Sequence, residues 1–271
     1  GQYWGHMNLR ERVDRFFIAQ FEGLSLDQAD EMDILEANGS VNFGSNKAYR
    51  AMLKKIKAGS PATNPDDLQY ILDNVDVDNL FEYMALEMFV GNSDIGNIRY
   101  YRLHQEGSKW KWIWYDADYG LYSSKFNSPW SYLKAKGMGE QKIDNTIFMK
   151  LLEHPDYKRK FLEKLADVYK TFTTEYMTQV LDGVVAEIQP EMKNHWERWG
   201  ELNDKAVTSE VPTTIDGAYT YWESRVNRLY NTLKVRPHRL WDFIKDEFKL
   251  TKAEMEELFG PQPDYPDDAV L

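Results

Sequence analysis

The stretch from Asp144 to Phe259 places its apolar residues at helical spacing almost throughout. Apolar residues that recur every three or four positions are typical of amphipathic helices. The stretch therefore predicts a large helical block and excludes an all-β fold. The predicted helices cover residues 147–152, 157–169, 174–188, 191–199, 219–233, 237–248 and 252–259.

A β-hairpin is predicted ahead of this block, because the apolar pattern changes its period there. Residues 97–104 and 109–115 are rich in aromatic and β-branched residues, and the turn-forming segment 105–108 separates them. We expect residue 104 to pair with residue 109 across the turn. One face of the second strand then carries three indoles, which we expect to pack against a helix: Trp110, Trp112 and Trp114.

Two helices are predicted just before the hairpin. Asn64 followed by Pro65 is a typical helix start, since asparagine caps the first turn and proline fits its first position. A second helix is expected to begin at Asp76 and to end at Gly91. The chain reaches the hairpin directly after this glycine.

The first sixty residues have a less regular pattern. Residues 3–9 are predicted to form a strand, and a short turn or helix follows. Residues 25–37 and 46–58 are predicted to be helical or mixed, with a turn at 38–40 between them. The fold class is thus α+β and mainly helical, with a short N-terminal sheet remnant and a central β-hairpin.

Composition and charge limit the metal ligands and the partners that the chain can have. The chain has no cysteine, so a metal site must use oxygen or histidine, and the five histidines lack the paired spacing of a zinc site. A net charge of −11 makes nucleic acid a poor partner, because the long-range field repels phosphate backbones. No apolar run is long enough to span a bilayer, so we expect no membrane insertion.

Four oxygen-bearing side chains are expected to meet at the open end of the hairpin. The expected pairing puts Asn97 opposite Asp116, with Asp94 and Asp118 just beyond. Carboxylates that converge with an amide are the ligands that a hard cation such as Mg²⁺ requires. The same residue types are also common in turns, so each of them taken alone could have a structural role.

The order of these residues is that of a protein-kinase active site: a helix, a catalytic Asp, an Asn, a hairpin, then a metal-binding Asp and a Gly. Three stretches resemble the CotH kinases, a family named for a spore-coat protein kinase and found widely in secreted bacterial proteins. The first is residues 1–14, with its Tyr-Trp-Gly and Arg-Glu-Arg segments; the second is residues 91–101, with Gly-Asn-Ser-Asp; the third is residues 109–120, with Asp-Ala-Asp-Tyr-Gly.

This resemblance implies a mainly helical, protein kinase-like C-terminal lobe that uses ATP and Mg²⁺ or Mn²⁺ to phosphorylate Ser hydroxyls of a protein substrate, which could be a surface or coat protein. Asp94 would be the catalytic Asp and Asp116 the metal ligand, with Asp118 and Asn97 as further ligands. Glu11 would be the partner of the phosphate-binding Lys in the nucleotide site. An extracytoplasmic or secreted location is a further family expectation.

The resemblance also divides the chain into three parts: residues 1–22 as a strand and Glu remnant of an N-terminal lobe, 23–259 as the kinase-like C-terminal lobe, and 260–271 as an irregular tail. A phosphate-binding Lys is not identifiable in the sequence. We therefore expect the parent protein to transfer phosphate and residues 1–271 alone to transfer little or none. Two alternatives stay open, a non-catalytic kinase-like binding module in a surface assembly and a glycoside hydrolase.

Overall fold

The computed structural model describes residues 1–137, 142–206 and 214–267. The chain is α+β with helices dominant, as predicted. It divides into two compact units. The larger unit consists of residues 11–171 and 238–263, and it contains the sheet and the predicted site. The smaller unit consists of residues 1–10 and 172–237, with the chain from 264 onward.

The larger unit has a four-stranded antiparallel sheet with the order β2-β1-β3-β4. Its strands are β1 (Met32–Glu36), β2 (Ser40–Phe43), β3 (Arg99–Leu103) and β4 (Lys111–Ile113). The helices in chain order are α1 (Arg15–Phe21), α2 (Lys47–Ala58), α3 (Pro65–Asn74), α4 (Val77–Val90), α5 (Ser128–Lys134), α6 (Thr146–Leu152), α7 (Pro155–Thr171), α8 (Thr174–Ala206), α9 (Ile215–Phe248) and α10 (Lys252–Phe259). Helix α8 lies in the smaller unit, and α9 continues from one unit into the other past Pro237.

The N-terminal part of the sheet lies at residues 32–43 and not at residues 3–9, where a strand was predicted. Residues 1–10 form neither helix nor strand. The prediction of helical or mixed structure for residues 25–37 was wrong over 32–36, which is β1. Four of the five β1 residues are buried. The sequence Met-Asp-Ile-Leu-Glu alternates only as far as Ile34, because Leu35 is apolar too, and so short a pattern does not distinguish a strand from a helix. The turn predicted at 38–40 does join β1 to β2.

Each face of the sheet packs against helices. On one face Ile18 and Ala19 of α1 form a cluster with Ile34 and Tyr101. On the other face the Tyr100 ring stacks on Trp112, with 5.6 Å between ring centroids. The Tyr49 ring of α2 lies 4.8 Å from Tyr100 and 5.0 Å from Trp110. Trp110 and Trp112 are therefore core residues, as expected, whereas 44% of Trp114 is exposed.

The hairpin forms with a register one residue away from the predicted one. Arg99 pairs with Ile113 and Tyr101 with Lys111, so opposed residues sum to 212 and not 213. The cause is Trp110, which leaves the hairpin to bond with the α3–α4 junction: its N–H donates to the Asn74 carbonyl at 2.9 Å, and its own carbonyl accepts from Asp76 at 3.0 Å. The turn is consequently longer than predicted.

The helix starts predicted before the hairpin are confirmed. The side chain of Asn64 accepts from the Asp66 N–H, Pro65 occupies the first turn, and Asp76 caps α4. Gly91 ends α4 in the left-handed conformation, with φ of 67°.

Two later helices are longer than predicted. Helices α8 and α9 run through Pro190 and Pro237, where breaks were expected. A proline removes one hydrogen bond, and long helices keep their bonding on both sides of it. Helix α5 was not predicted. Residues 260–267 contain no helix or strand, and residues 268–271 of the predicted irregular tail lie outside the described residues.

The smaller unit pairs α8 with the first part of α9. The Thr174 hydroxyl donates to the Leu233 carbonyl at 3.1 Å, and the Tyr230 hydroxyl donates to Asp182 at 2.6 Å. Within the same unit the ring of Trp4 stacks on Trp199. Over the described part of the chain, none of the helices combines the length and the apolar character needed to cross a membrane.

A partly buried ion pair fixes α1 to β4. The carboxylate of Glu22, directly after α1, accepts a hydrogen bond from Tyr101 and lies 2.7 Å from Lys111 Nζ. Burial by itself would raise the pKa of Glu22, but the hydrogen bonds from Lys111 and Tyr101 outweigh it, so the pKa is lowered. This pair therefore stabilises the fold only while Glu22 is ionised.

The stability contribution of Glu22 is expected to disappear in acid. A carboxyl with a lowered pKa in the folded state stabilises fully above its unfolded pKa, and the contribution is lost as the pH falls through the folded pKa. Urea unfolding should show wild type more stable than Lys111→Met near pH 7, with the gap closing below roughly pH 4. An equal gap at both pH values would contradict the assignment. Arg159→Met, which removes two exposed ion pairs, with Glu163 and Glu257, is the matched control.

Candidate active site

A tight turn between α4 and β3 holds Asp94. After Gly91 the side chain of Asn92 accepts a hydrogen bond from the Asp94 N–H at 3.1 Å. The Asp94 carbonyl then accepts from the Asn97 N–H at 3.1 Å. The turn is closed at both ends by these bonds, so the main chain of Asp94 is fixed at the carboxyl end of the helix.

Asn97 and Asp116 are brought together at the open end of the hairpin. The Asn97 amide donates from Nδ2 to Asp116 Oδ2 at 2.5 Å, and the Tyr115 hydroxyl donates to Asn97 Oδ1 at 2.7 Å. Extended past the ends of the two strands, the observed register puts Tyr115, not Asp116, opposite Asn97. Asp116 still reaches the amide because its backbone turns into the left-handed region, with φ of 52°. Aspartate tolerates this conformation better than most residues.

The chain after Asp116 returns to α4. The Gly120 N–H donates to the Ala117 carbonyl at 2.8 Å, and the Leu121 N–H donates to the Val90 carbonyl at 2.6 Å. A Cβ at Gly120 would lie 2.8 Å from the Ala117 oxygen and 3.0 Å from Val90 Cγ2, so this close turn requires glycine. Asp118 lies exposed within the turn.

The charges of both acidic residues of the predicted site act on the pKa of the Tyr115 hydroxyl. Burial raises the pKa of its hydroxyl, the Arg99 charge lowers that pKa, and the charges of Asp116 and Asp94 raise it. The Arg99 guanidinium lies over the Tyr115 ring, 5.0 Å from the centroid. Asp94 and Asp116 are therefore both within electrostatic range of one hydroxyl, with a cation beside it.

Arg99 also links the site to the segment that carries Glu11. Its Nη1 donates to the Val13 carbonyl at 2.5 Å, and its Nη2 lies 3.3 Å from Glu36. Glu11 itself is exposed on an irregular segment. Its predicted role as the partner of a phosphate-binding Lys stays a prediction.

Glu87 is a buried acid that the sequence analysis missed. Only 1% of its surface is exposed, and its carboxylate accepts a hydrogen bond from the Tyr132 hydroxyl at 2.5 Å. Burial outweighs the neighbouring polar groups of Tyr132, Asn92 and Trp114 and raises the pKa of Glu87, and the charge of Asp94 raises it further. The sequence does contain a signal for it, because Glu87 is the single charged residue within the otherwise apolar stretch 83–90 of α4.

The donor set suits a magnesium ion that keeps part of its water shell. In the described ranges, no three His, Asp or Glu side chains form a ready-made metal cluster. Mg²⁺ in nucleotide sites is typically held by one or two carboxylates, with phosphate oxygens and water completing its octahedron. Asp116 offers one exposed carboxylate and Asp118 a second nearby in sequence. Asn97 now presents its amide nitrogen to Asp116, so ligation by Asn97 would require its oxygen to turn toward the cation.

An apolar cavity of about 420 Å³ lies beside β4. Helix α1 contributes Phe17 and Phe21, α4 contributes Tyr83 and Leu86, and β4 contributes the residues that lead to Trp114. The cavity thus ends two residues before Asp116.

The comparisons with known proteins place the chain in a family. The model of the CotH kinase protein family matches residues 1–240 of the 271. Neither a curated protein nor a solved structure matches the chain. The matched range includes all three stretches that carry the resemblance, and the family indicates a kinase-like function with use of ATP, a divalent metal and a protein substrate in general. The chain belongs to the CotH kinase family.

Proposed function

We propose that the protein transfers the γ-phosphoryl group of ATP to Ser hydroxyls of a protein substrate in a Mg²⁺-dependent reaction. The observation that carries this proposal is the hydrogen bond between Asn97 and Asp116, 19 residues apart in sequence. It joins the end of the hairpin to the turn that holds Asp94. A proton acceptor and a metal-binding carboxylate at one place are what phosphoryl transfer needs.

Each acidic residue has its own part in the proposed reaction. A bound Mg²⁺ would neutralise part of the phosphate charge. Asp116 would hold this cation, with Asp118 as a second carboxylate. Asn97 orients the Asp116 carboxylate through its amide. The Ser oxygen attacks the γ-phosphorus, the bond to the β-phosphate oxygen breaks, ADP leaves, and the hydroxyl proton passes to Asp94.

Arg99 is the cation that we propose as a counter-charge near the phosphates. Its guanidinium lies against Tyr115, which bonds to Asn97, and 17% of its side chain is exposed. Arginine binds phosphate well because its planar fork offers several donors at once. The proposal includes an extracytoplasmic location, with which a chain free of cysteine is compatible.

The test of this proposal is transfer of radiolabel from [γ-³²P]ATP. Full-length protein with Mg²⁺ should label a Ser-containing protein substrate or itself, and EDTA should abolish the labelling. No Mg²⁺-dependent labelling by the full-length protein would contradict the proposal. A thermal shift with oligosaccharides and none with ATP and Mg²⁺ would favour a glycoside hydrolase instead.

A further inference from the structure

Tyr115 begins a chain of hydrogen bonds that ends at the carboxylate of Asp116. Its hydroxyl donates to Asn97 Oδ1 at 2.7 Å, and the Asn97 amide donates from Nδ2 to Asp116 Oδ2 at 2.5 Å. Asn97 therefore uses its oxygen and its nitrogen on two different neighbours. The chain runs from the hydroxyl through the amide to the carboxylate.

The charge of Asp116 fixes the direction of both bonds. An ionised carboxylate only accepts hydrogen bonds, so Asn97 has to turn its NH₂ group toward Asp116. The amide oxygen then faces Tyr115, which has a hydroxyl to donate. The opposite orientation of the amide would place two acceptors, the amide oxygen and a carboxylate oxygen, against each other. Tyr115 and Asp116 thus favour the same orientation of Asn97.

The ring of Tyr115 is itself held in place. The Arg99 guanidinium lies over this ring, 5.0 Å from its centroid. Arg99 is fixed in turn, because its Nη1 donates to the Val13 carbonyl at 2.5 Å and its Nη2 lies 3.3 Å from the Glu36 carboxylate. Packing and hydrogen bonds of this kind hold a supporting side chain in one rotamer. Tyr115 therefore presents its hydroxyl to Asn97 from a fixed position.

We propose that Tyr115 is a positioning residue, which keeps Asn97 outside the coordination sphere of the cation and, through Asn97, orients the Asp116 carboxylate that binds the cation. The inference rests on the proposed function, in which Asp116 holds Mg²⁺. With its oxygen bonded to Tyr115, Asn97 is an outer partner of the metal ligand and not a ligand itself. Such outer partners orient a ligand and raise its affinity for the metal.

Tyr115→Phe tests this role, because it removes the hydroxyl and keeps the ring beside Arg99. We expect the Kd for Mn²⁺, measured in residues 1–271 from the EPR signal of the free ion, to rise by about 3–10-fold, the equivalent of one hydrogen bond. Asn97→Ala removes the bond to Asp116 itself and should raise this Kd by about 10–100-fold. Added to Asn97→Ala, Tyr115→Phe should cause no further rise, since the hydroxyl acts through the amide.

Tyr101→Phe is the matched control. The Tyr101 hydroxyl also bonds to a neighbouring side chain in the same sheet, but its acceptor is Glu22 and not Asn97. Its removal should lower the melting temperature and leave the Kd for Mn²⁺ unchanged. An unchanged Kd in Tyr115→Phe, an equal rise in Tyr101→Phe or additive rises in the double variant would each overturn the positioning role while the proposed function stands.

A lower Kd in Tyr115→Phe would overturn the role as well, because it would mean that the released Asn97 turns its oxygen to the cation. If Asn97→Ala does not fold, the comparison of Tyr115→Phe with Tyr101→Phe decides alone, since both variants keep their aromatic rings.

The behaviour of wild type separates this role from the proposed function. Mn²⁺ binding by wild type that Asp116→Asn abolishes, and that Tyr115→Phe weakens only while Asn97 is present, supports both. If wild type binds no Mn²⁺, with or without ATP, the cation site of the proposed function fails, and the role of Tyr115 fails with it.

Discussion

Asp94→Asn in the full-length protein is expected to lower the rate of phosphoryl transfer by roughly 10²–10⁴-fold, the usual contribution of a positioned general base. The amide keeps the shape of the side chain but cannot accept the proton of the attacking hydroxyl. The turn should survive, because the bonds that close it involve the Asp94 N–H and carbonyl. Steady-state labelling from [γ-³²P]ATP measures the rate.

Two comparisons make this result specific. The Kd for Mn²⁺ should stay near that of wild type in Asp94→Asn, since Asp116 still holds the cation. Asp167→Asn, the same change at an exposed position of α7, should leave the rate unchanged. Undiminished labelling by Asp94→Asn would move the proton acceptor elsewhere.

Asp116→Asn is expected to lower the rate by roughly 10²–10³-fold, as when one electrostatic contact to the developing charge is removed. It should also abolish Mn²⁺ binding at concentrations that saturate wild type. Asparagine is the informative substitution because it tolerates the φ of 52° at this position and its oxygen can still accept from Asn97. The lower rate and the lost Mn²⁺ binding are then due to the missing charge and not to a strained backbone.

Asp116→Gly separates backbone strain from charge in a second way. Glycine adopts positive φ without cost, so this variant should fold as well as wild type and bind Mn²⁺ as poorly as Asp116→Asn. Asp116→Ala adds strain at the same φ and should have a lower melting temperature than either. Mn²⁺ binding retained by both Asp116→Asn and Asp116→Gly would contradict the assignment of Asp116 as a ligand.

The sequence predicted those parts of the fold that have strong local signals. The start of α3 at Asn64-Pro65, the glycine end of α4 and the hairpin after it were all correct. Strand β1 was missed because its alternation stops at Ile34, and a pattern of five residues is too short to distinguish a strand from a helix. The register was wrong because Trp110 bonds to residues of the α3–α4 junction, a tertiary contact that hairpin pairing rules do not contain.

Part of the candidate site could be predicted from the sequence because its position depends on the hairpin. A hairpin brings its two ends together in any nearby register, so the approach of Asn97 to Asp116 survived the shift of one residue. The left-handed turn at Asp116 that restores their contact has no clear sequence signal. Glu87 and its hydrogen-bond donor Tyr132 lie 45 residues apart in the sequence, so only the folded chain shows that they meet.

Anomalous diffraction from Mn²⁺ bound with a non-hydrolysable ATP analogue would show whether Asp116 holds the cation beside Asp94. We expect an anomalous peak within about 2.5 Å of an Asp116 carboxylate oxygen, with γ-phosphate oxygens on the same ion. The Asp94 carboxylate should lie on the far side of the γ-phosphate, where an attacking hydroxyl would approach. A peak away from Asp116, or carboxylates of Asp94 and Asp116 more than about 12 Å apart, beyond what one cation and its waters could span, would contradict it.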